Sequence, residues 1–322
     1  MARASSRCDF AMNELEPREG QISQVVFDNG PIRIGAFRCR PDHPLFHEAG
    51  QPAEKCFFVF PRTAVEIRHE HEAPFVANPN VVTFYNPGQA YRRNAISPEG
   101  DLCDWFAVEP EFARDLIREI DLRIDGRPAW PFFRSHAWSD APTYLLQRRL
   151  FTCVTSVAIT EPLVVEETVV ELLDRVTRSA YASRGIHLAP SITRRQRDTI
   201  RDIEIVLSRP TEERLTLKGI AREIGLSAYH VCRLFRRATG KTLHYYRLQF
   251  RLRTALTQVL ESSKPLIDVA LDGGFSSHSH FTERFRRAFE ETPSSLRTAQ
   301  IDPGTLTALQ RLPGSTHHEF VQ

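Results

Sequence analysis

Two stretches, IAREIGLSAYHVCRLFRRA at 220–238 and VALDGGFSSHSHFTERFRRA at 269–288, are copies of one unit. Ala221, Gly225 and Leu226 match Ala270, Gly274 and Phe275 at an offset of 49, while Val231, Phe235 and the first FRRA match Phe281, Phe285 and the second FRRA at 50. One residue is therefore inserted in the second turn. In each copy a short helix is expected to end at a glycine, Gly225 or Gly274, which takes a positive-φ turn without a Cβ penalty. The next apolar residue, Leu226 or Phe275, is expected to plug the angle to the following helix. Ser227 in the first copy and Ser276–Ser277 in the second suit the N-cap of that helix. The repeated unit reads as a helix-turn-helix.

Spacing separates the faces of each second helix. Val231, Leu234, Phe235 and Ala238 fall at i, i+3, i+4, i+7 and form a core stripe, leaving Tyr229, Cys232, Arg233 and Arg236 outward. In the second copy Phe281, Phe285, Ala288 and Phe289 form the stripe, and His278, Ser279, Thr282, Glu283 and Arg286 turn outward. Between the copies, TLHYYRLQFRLRTALTQVLES at 242–262 has no helix breaker and reads as one amphipathic helix. At about 1.5 Å per residue it spans roughly 30 Å, near the ~34 Å between successive major-groove faces on one side of B-DNA.

Charge follows the same division. The whole chain carries +2, but 191–300 holds 20 Lys and Arg against 12 Asp and Glu, leaving 22 against 28 elsewhere. Such asymmetry suits a domain facing a polyanion.

Residues 193–298 resemble the DNA-binding domain of the AraC/XylS family of transcription regulators. The stretch RLRTAL…PLIDVALDGGFSSHSHFTERFRRAFEETPSSLR carries that resemblance, including the terminal Thr292-Pro293. It implies that Tyr229, Cys232 and Arg233 in the first reading helix, and His278, Ser279, Thr282 and Glu283 in the second, face bases. Arg236, Arg237, Arg286 and Arg287, with the helix N-termini at Ser227 and Ser277, are expected to hold phosphates. Glu290 stands where the family usually has glycine, and Glu283 where a basic or neutral residue is common. The resemblance also implies double-stranded DNA and RNA polymerase as partners, activation as the default role, an unknown small-molecule effector and a homodimer.

The first half reads differently. CFFVF (56–60), AVEIRHE (64–70) and VVTFY (81–85) are β-branched and aromatic runs separated by Pro61, Pro74, Asn78-Pro79 and Asn86-Pro87-Gly88. They predict a small all-β assembly, and the resemblance makes it a cupin-like barrel. EFARDLIREID, APTYLLQRRLFTCVTSVA and PLVVEETVVELLDRVTRSAYA then read as helices that pack on the barrel or pair subunits. The expected fold class is α+β multidomain. It comprises a cupin-like β-barrel with dimerisation helices at 1–181, a linker at 182–195, an all-α double helix-turn-helix domain at 196–300, and a tail at 301–322.

Tyr91 occupies the place where metal-binding cupins carry histidine. His69-Glu70-His71 puts two histidines on one face of a strand, but the usual following glutamate spacing is absent, so exposed strand histidines are expected and no metal or cofactor. Cys39, Cys56 and Cys103 lie on predicted strands, where buried structural thiols are expected in preference to a redox sensor. There is no GxSxG, P-loop or glycine-rich dinucleotide turn, so no catalytic set and no enzyme is expected. Two alternatives stand beside the effector-responsive regulator: a cupin-type enzyme with an accessory DNA-binding domain, and a ligand-independent repressor. The first twenty residues lack an apolar core of signal-peptide length, and a cytoplasmic protein with no membrane contact is expected.

Overall fold

The computed structural model describes residues 22–50, 52, 54–126, 129–155, 161–186, 192–209 and 215–299. Among the described residues nine strands come first: β1 (Ser23–Asp28), β2 (Ile32–Cys39), β3 (Cys56–Pro61), β4 (Val65–His69), β5 (Phe75–Ala77), β6 (Val81–Tyr85), β7 (Tyr91–Ala95), β8 (Asp101–Val108) and, after helix α1 (Pro110–Arg118), β9 (His136–Trp138). They make a six-stranded antiparallel sheet in the order β1-β2-β8-β3-β6-β9, faced by a three-stranded sheet β5-β4-β7. The expected closed barrel is not formed. The chain changes sheets between β3 and β4, where the backbone N–H groups of Arg62 and Thr63 both donate to the Leu102 carbonyl of β8. From there β4 pairs only with β5 and β7, and the result is an open sandwich.

Helices α2 (Ala141–Thr155) and α3 (Pro162–Ile186) cover the outer face of the large sheet. Two buried faces explain why CFFVF and VVTFY read as continuous apolar runs instead of alternating ones. Phe58, Phe60, Val82, Phe84 and Phe106 pack toward the helices, while Val59, Tyr85, Cys103 and Trp105 pack toward the small sheet. Gly35 sits opposite Trp105 in the β2–β8 ladder, and a Cβ there would collide with the indole ring.

The described residues beyond α3 are helical: α4 (Arg194–Ser208), α5 (Leu217–Ile224), α6 (Ala228–Thr239), α7 (Leu243–Glu261), α8 (Leu266–Asp272), α9 (His278–Phe289) and α10 (Pro293–Thr298). Helix α3 extends to Ile186, inside the expected 182–195 linker, and α4 starts at Arg194 behind a Thr193–Gln196 capping box. The expected tail at 301–322 and Cys8 lie outside the described residues.

The apolar core does not divide with the two halves. One cluster runs from the large sheet through Tyr144, Leu146 and Leu150 of α2 into Leu252 and Leu256 of α7 and Val269, Phe281 and Phe285 of the second repeat. Helix α2 is buried on nearly every side and serves as the joint between the halves. The first repeat has its own cluster around Ile203, Val231, Phe235 and Tyr246.

Candidate nucleic-acid interface

Each repeat is built by the predicted punctuation. In the first, Gly225 ends α5 at φ +70°, its successor Leu226 donates its N–H to the Ala221 carbonyl at 3.1 Å, and the Ser227 hydroxyl accepts the His230 N–H to cap α6. In the second, Gly274 takes φ +70°, Phe275 N–H bonds the Ala270 carbonyl at 2.9 Å, and Ser277 caps α9 through the His280 N–H. Residue 226 departs from expectation. Phe275 fills the helix angle at 3% exposure, whereas Leu226 stays 38% exposed because the shorter turn leaves its side chain outside the corner.

The predicted faces separate as the spacing requires. Val231 and Phe235 are fully buried, while Tyr229, Cys232, Arg233, Arg236 and Arg237 of α6 are exposed. Arg233 Nη1 donates to the Tyr229 hydroxyl at 3.3 Å, one turn away, which orients the guanidinium outward along the helix. On α9, Phe281, Phe285 and Phe289 are buried. His278, Ser279, Thr282, Glu283, Arg286 and Arg287 join Thr292 around one groove of about 640 Å³. The Thr282 hydroxyl is buried at the floor of this groove without a hydrogen-bond partner among the described residues. Glu283 holds Arg287 at 3.2 Å, so two predicted contacts of different kinds are tied together before DNA arrives.

Several basic residues of this half do structural work that the charge count hides. Arg247 donates to the Leu207 and Arg209 carbonyls at the end of α4, Arg251 bonds the Gly273 carbonyl and lies 4.3 Å over the Phe275 ring, and Arg297 reaches the Val259 and Lys264 carbonyls. Burial pushes Arg247 down to about 10 and lowers Arg251 as well.

Sequence reasoning also missed the polar lock between α7 and the sandwich. Arg253, fully buried, donates to the Asn80 side chain and to the Ser139 carbonyl, and its guanidinium stacks 5.3 Å from the Trp138 ring. Asn78 Nδ2 donates to Ser208 Oγ at 2.7 Å and to the Tyr246 hydroxyl at 2.8 Å, and Asn80 Nδ2 donates to the Tyr246 carbonyl at 3.0 Å. At the far end of α7, Glu261 meets Arg62 and Arg148, and Arg148 also binds Asp104. Burial opposes charge on Arg148 but Asp104 and Glu261 outweigh it and raise its pKa; burial likewise raises Glu261, and the two arginines bring it below the usual carboxylate range. Arg201–Glu66 at 3.3 Å ties α4 to β4, and Arg149–Glu291 at 2.8 Å ties the turn after α9 to α2. Arg253 follows Tyr246 and Phe250 at i+7 and i+3, and that stripe position was the available signal.

A second concave site lies inside the sandwich. A cavity of about 350 Å³ opens between the sheets, walled by side chains such as Phe57, Ile67 and Trp105, with Tyr91 and Asp101 at its polar end. Strand alternation gives β8 two duties: Cys103 and Trp105 face this cavity, and Asp104 between them faces Arg148 and Arg62. His69 is fully buried against Tyr85, with Nδ1 at 3.2 Å from Gln89 Nε2, and burial pushes its pKa down to about 4. His71 lies beyond the strand at φ +64° and is exposed, so the expected pair of exposed histidines sharing one strand face is corrected. Cys56 packs in the other core cluster, away from Cys39 and Cys103, and burial pushes its thiol up to about 12. Burial raises Cys39 and Cys103 too. Among the described residues no three His, Cys, Asp or Glu side chains are grouped to hold a metal ion, and no helix is long and apolar enough to cross a membrane.

Known proteins resemble the helical half. A helix-turn-helix domain family matches residues 220–299. Regulatory protein SoxS of Escherichia coli (strain K12) is 33% identical over 98 residues, covering 30% of this chain and 92% of that protein. The right origin-binding protein of the same organism is 31% identical over 102 residues, which is 32% of this chain and 35% of its own. Among solved structures, a transcriptional regulator with an AraC-type DNA-binding domain from Chromobacterium violaceum aligns with 38% of this chain and all of its own, at 27% identity and a TM-score of 0.31. ToxT from Vibrio cholerae O395 aligns with 88% of this chain and 99% of its own, at 11% identity and a TM-score of 0.31.

Proposed function

The chain belongs to the AraC/XylS family of DNA-binding transcription regulators, and from that membership we propose that it reads two adjacent major-groove segments and tunes its occupancy to a small effector. The observation that carries this reading is the pair of 12-residue helices, α6 and α9, serine-capped at their N-termini and polar on their outer faces, joined by a helix about 28 Å long. Arg233, steadied by Tyr229, is the leading base reader, because its planar fork matches O6 and N7 of one guanine. Tyr229, Cys232, His278, Ser279 and Thr282 complete the base-facing set. Glu283 has two uses, accepting a cytosine amino hydrogen or retaining Arg287. Arg236, Arg237, Arg286 and Arg287, with the N-terminal amides behind Ser227 and Ser277, hold phosphates and set the register.

The sandwich cavity supplies the effector site in this reading, and β8 and the β5–β6 turn supply the connection. A ligand that shifts Cys103 or Trp105 acts on the strand that carries Asp104, and Ala77 on the cavity wall is followed directly by Asn78. Both lead to α7, which sets the separation of the two reading helices. The regulator then works in the cytoplasm as an activator that touches RNA polymerase, without a cofactor or catalytic activity. It pairs as a homodimer through the exposed Leu163 and Val170 of α3.

Selection of bound duplexes from a randomised library tests the reading. The expected product is a motif with two half-elements one helical turn apart, and Arg233→Ala relaxes one position of it. A pool that stays random after selection refutes specific reading.

A further inference from the structure

The sandwich cavity carries more information than its position, because the buried charges on its wall, Asp101 and Lys55, are already paired, and Glu54 is exposed. Asp101 is 7% exposed and faces Arg93 Nη1 at 3.5 Å; Arg93 also donates to the Tyr91 hydroxyl at 2.9 Å and lies 4.6 Å over the Phe37 ring. Nearer the mouth, Lys55 is paired with Glu109 and Arg33 with Asp28. A charged ligand entering this space leaves its hydration shell and finds no uncompensated counter-ion at the polar end. Cys103 offers no anion there either, since burial keeps its thiol protonated.

What the polar end offers is a hydroxyl-sized partner. Tyr91 accepts from Arg93 and keeps its own O–H to donate, and the Asp101 carboxylate accepts. A ligand hydroxyl placed between them accepts from one and donates to the other. The remaining lining is apolar and aromatic, from Phe57, Val59, Val65, Ile67 and Trp105. Size follows from volume: a cavity of about 150 Å³ lined by aliphatic and aromatic side chains takes up benzene, and this one measures about 350 Å³.

We propose that the cavity binds a neutral, flat molecule of about two fused rings carrying one hydroxyl, its body between Trp105 and the small sheet and its hydroxyl between Tyr91 and Asp101. The proposal rests on reading this cavity as the effector site, and names the chemistry of the effector.

Isothermal titration of the full-length chain with 2-naphthol, naphthalene-2-carboxylate and 2-naphthylmethylammonium tests it. The expected order places 2-naphthol at least tenfold tighter than both charged analogues. Val65→Phe, which fills the cavity, lowers 2-naphthol affinity at least tenfold. Asp101→Asn keeps the volume and leaves Arg93 uncompensated, so binding of the carboxylate rises by at least tenfold. Circular dichroism and urea midpoints show that each variant is folded before it is titrated. Equal or tighter binding of either charged analogue to the unaltered chain, or binding of none of the three, overturns the proposal. So does an unchanged preference in a folded Asp101→Asn chain. DNA retention measured with and without 2-naphthol separates the two readings: binding with no change in retention keeps the ligand class and removes the effector role.

Discussion

Replacing Glu290 by glycine is expected to stabilise the second repeat. Glu290 closes α9 at φ +63°, in the place where Gly240 closes α6 at φ +69°. An L-residue in that left-handed region costs ~1–2 kcal/mol relative to the right-handed one. An exposed carboxylate at a helix C-terminus opposes the helix dipole by a further ~0.3–1 kcal/mol. Glycine offsets part of the gain with ~0.5–1 kcal/mol of extra unfolded-chain entropy. The balance leaves Glu290→Gly more stable by about 1 kcal/mol. The neighbouring Arg149–Glu291 pair is untouched by the change. Urea unfolding followed by the far-ultraviolet helix signal reads the difference, and Gly240→Glu supplies the reciprocal, expected by the same terms to destabilise by about 1 kcal/mol. If Gly240→Glu behaves as expected while Glu290→Gly leaves the midpoint unchanged or lowers it, Glu290 is held by contacts that outweigh its backbone strain, and the argument is wrong.

Three further outcomes follow from other parts of the molecule. Arg148→Met leaves the fully buried Asp104 with Arg62 alone, at 3.8 Å, and is expected to cost about 3 kcal/mol, the low end of the ~3–5 kcal/mol for breaking a buried pair, while adding Asp104→Leu recovers most of it; a double variant no more stable than the single one contradicts this. His69 folds neutral with its pKa near 4, below the ~6.5 of an unfolded chain, so the unfolded state binds the extra proton first as pH falls. Stability from this group is complete above pH 6.5 and declines toward pH 4 by about 3 kcal/mol, and His69→Gln should remove that slope from unfolding curves measured across the window. On DNA, Arg233→Ala should cost ~1–3 kcal/mol and relax one base. Arg233→Glu should abolish operator binding where Arg286→Glu leaves measurable affinity, and equal losses on specific and random duplex would remove Arg233 from the reading set.

The helical half was legible because its determinants are local. Ser227, Ser277, Gly225 and Gly274 act within four residues of themselves, and the 242–262 stretch holds a helix from Leu243 to Glu261. Leu226 was misjudged because plugging the corner depends on the length of the turn, and the first turn is one residue shorter. The first half was less legible. Its strands could be seen, but closure into a barrel depends on which edges meet, and the crossing at Arg62–Thr63 has no local signature. Arg253 and Asn80 are 173 residues apart in the chain, so no window of sequence shows that one buries the other. His69 is similar: its neighbours Phe75, Tyr85 and Tyr91 come from three other segments.

The lock on α7 bears on inheritance. A DNA reader cut away at 182–195 and fused to another sensor carries Arg253, Leu252 and Leu256 into solvent unless the new partner happens to offer an Asn80, a Ser139 carbonyl and an apolar seat like α2. Functional recombinants of this chain across that boundary should therefore be scarce. A designer wanting a portable version of this reader would first have to make residue 253 polar without charge and α7's inner stripe soluble, before choosing any new sensor.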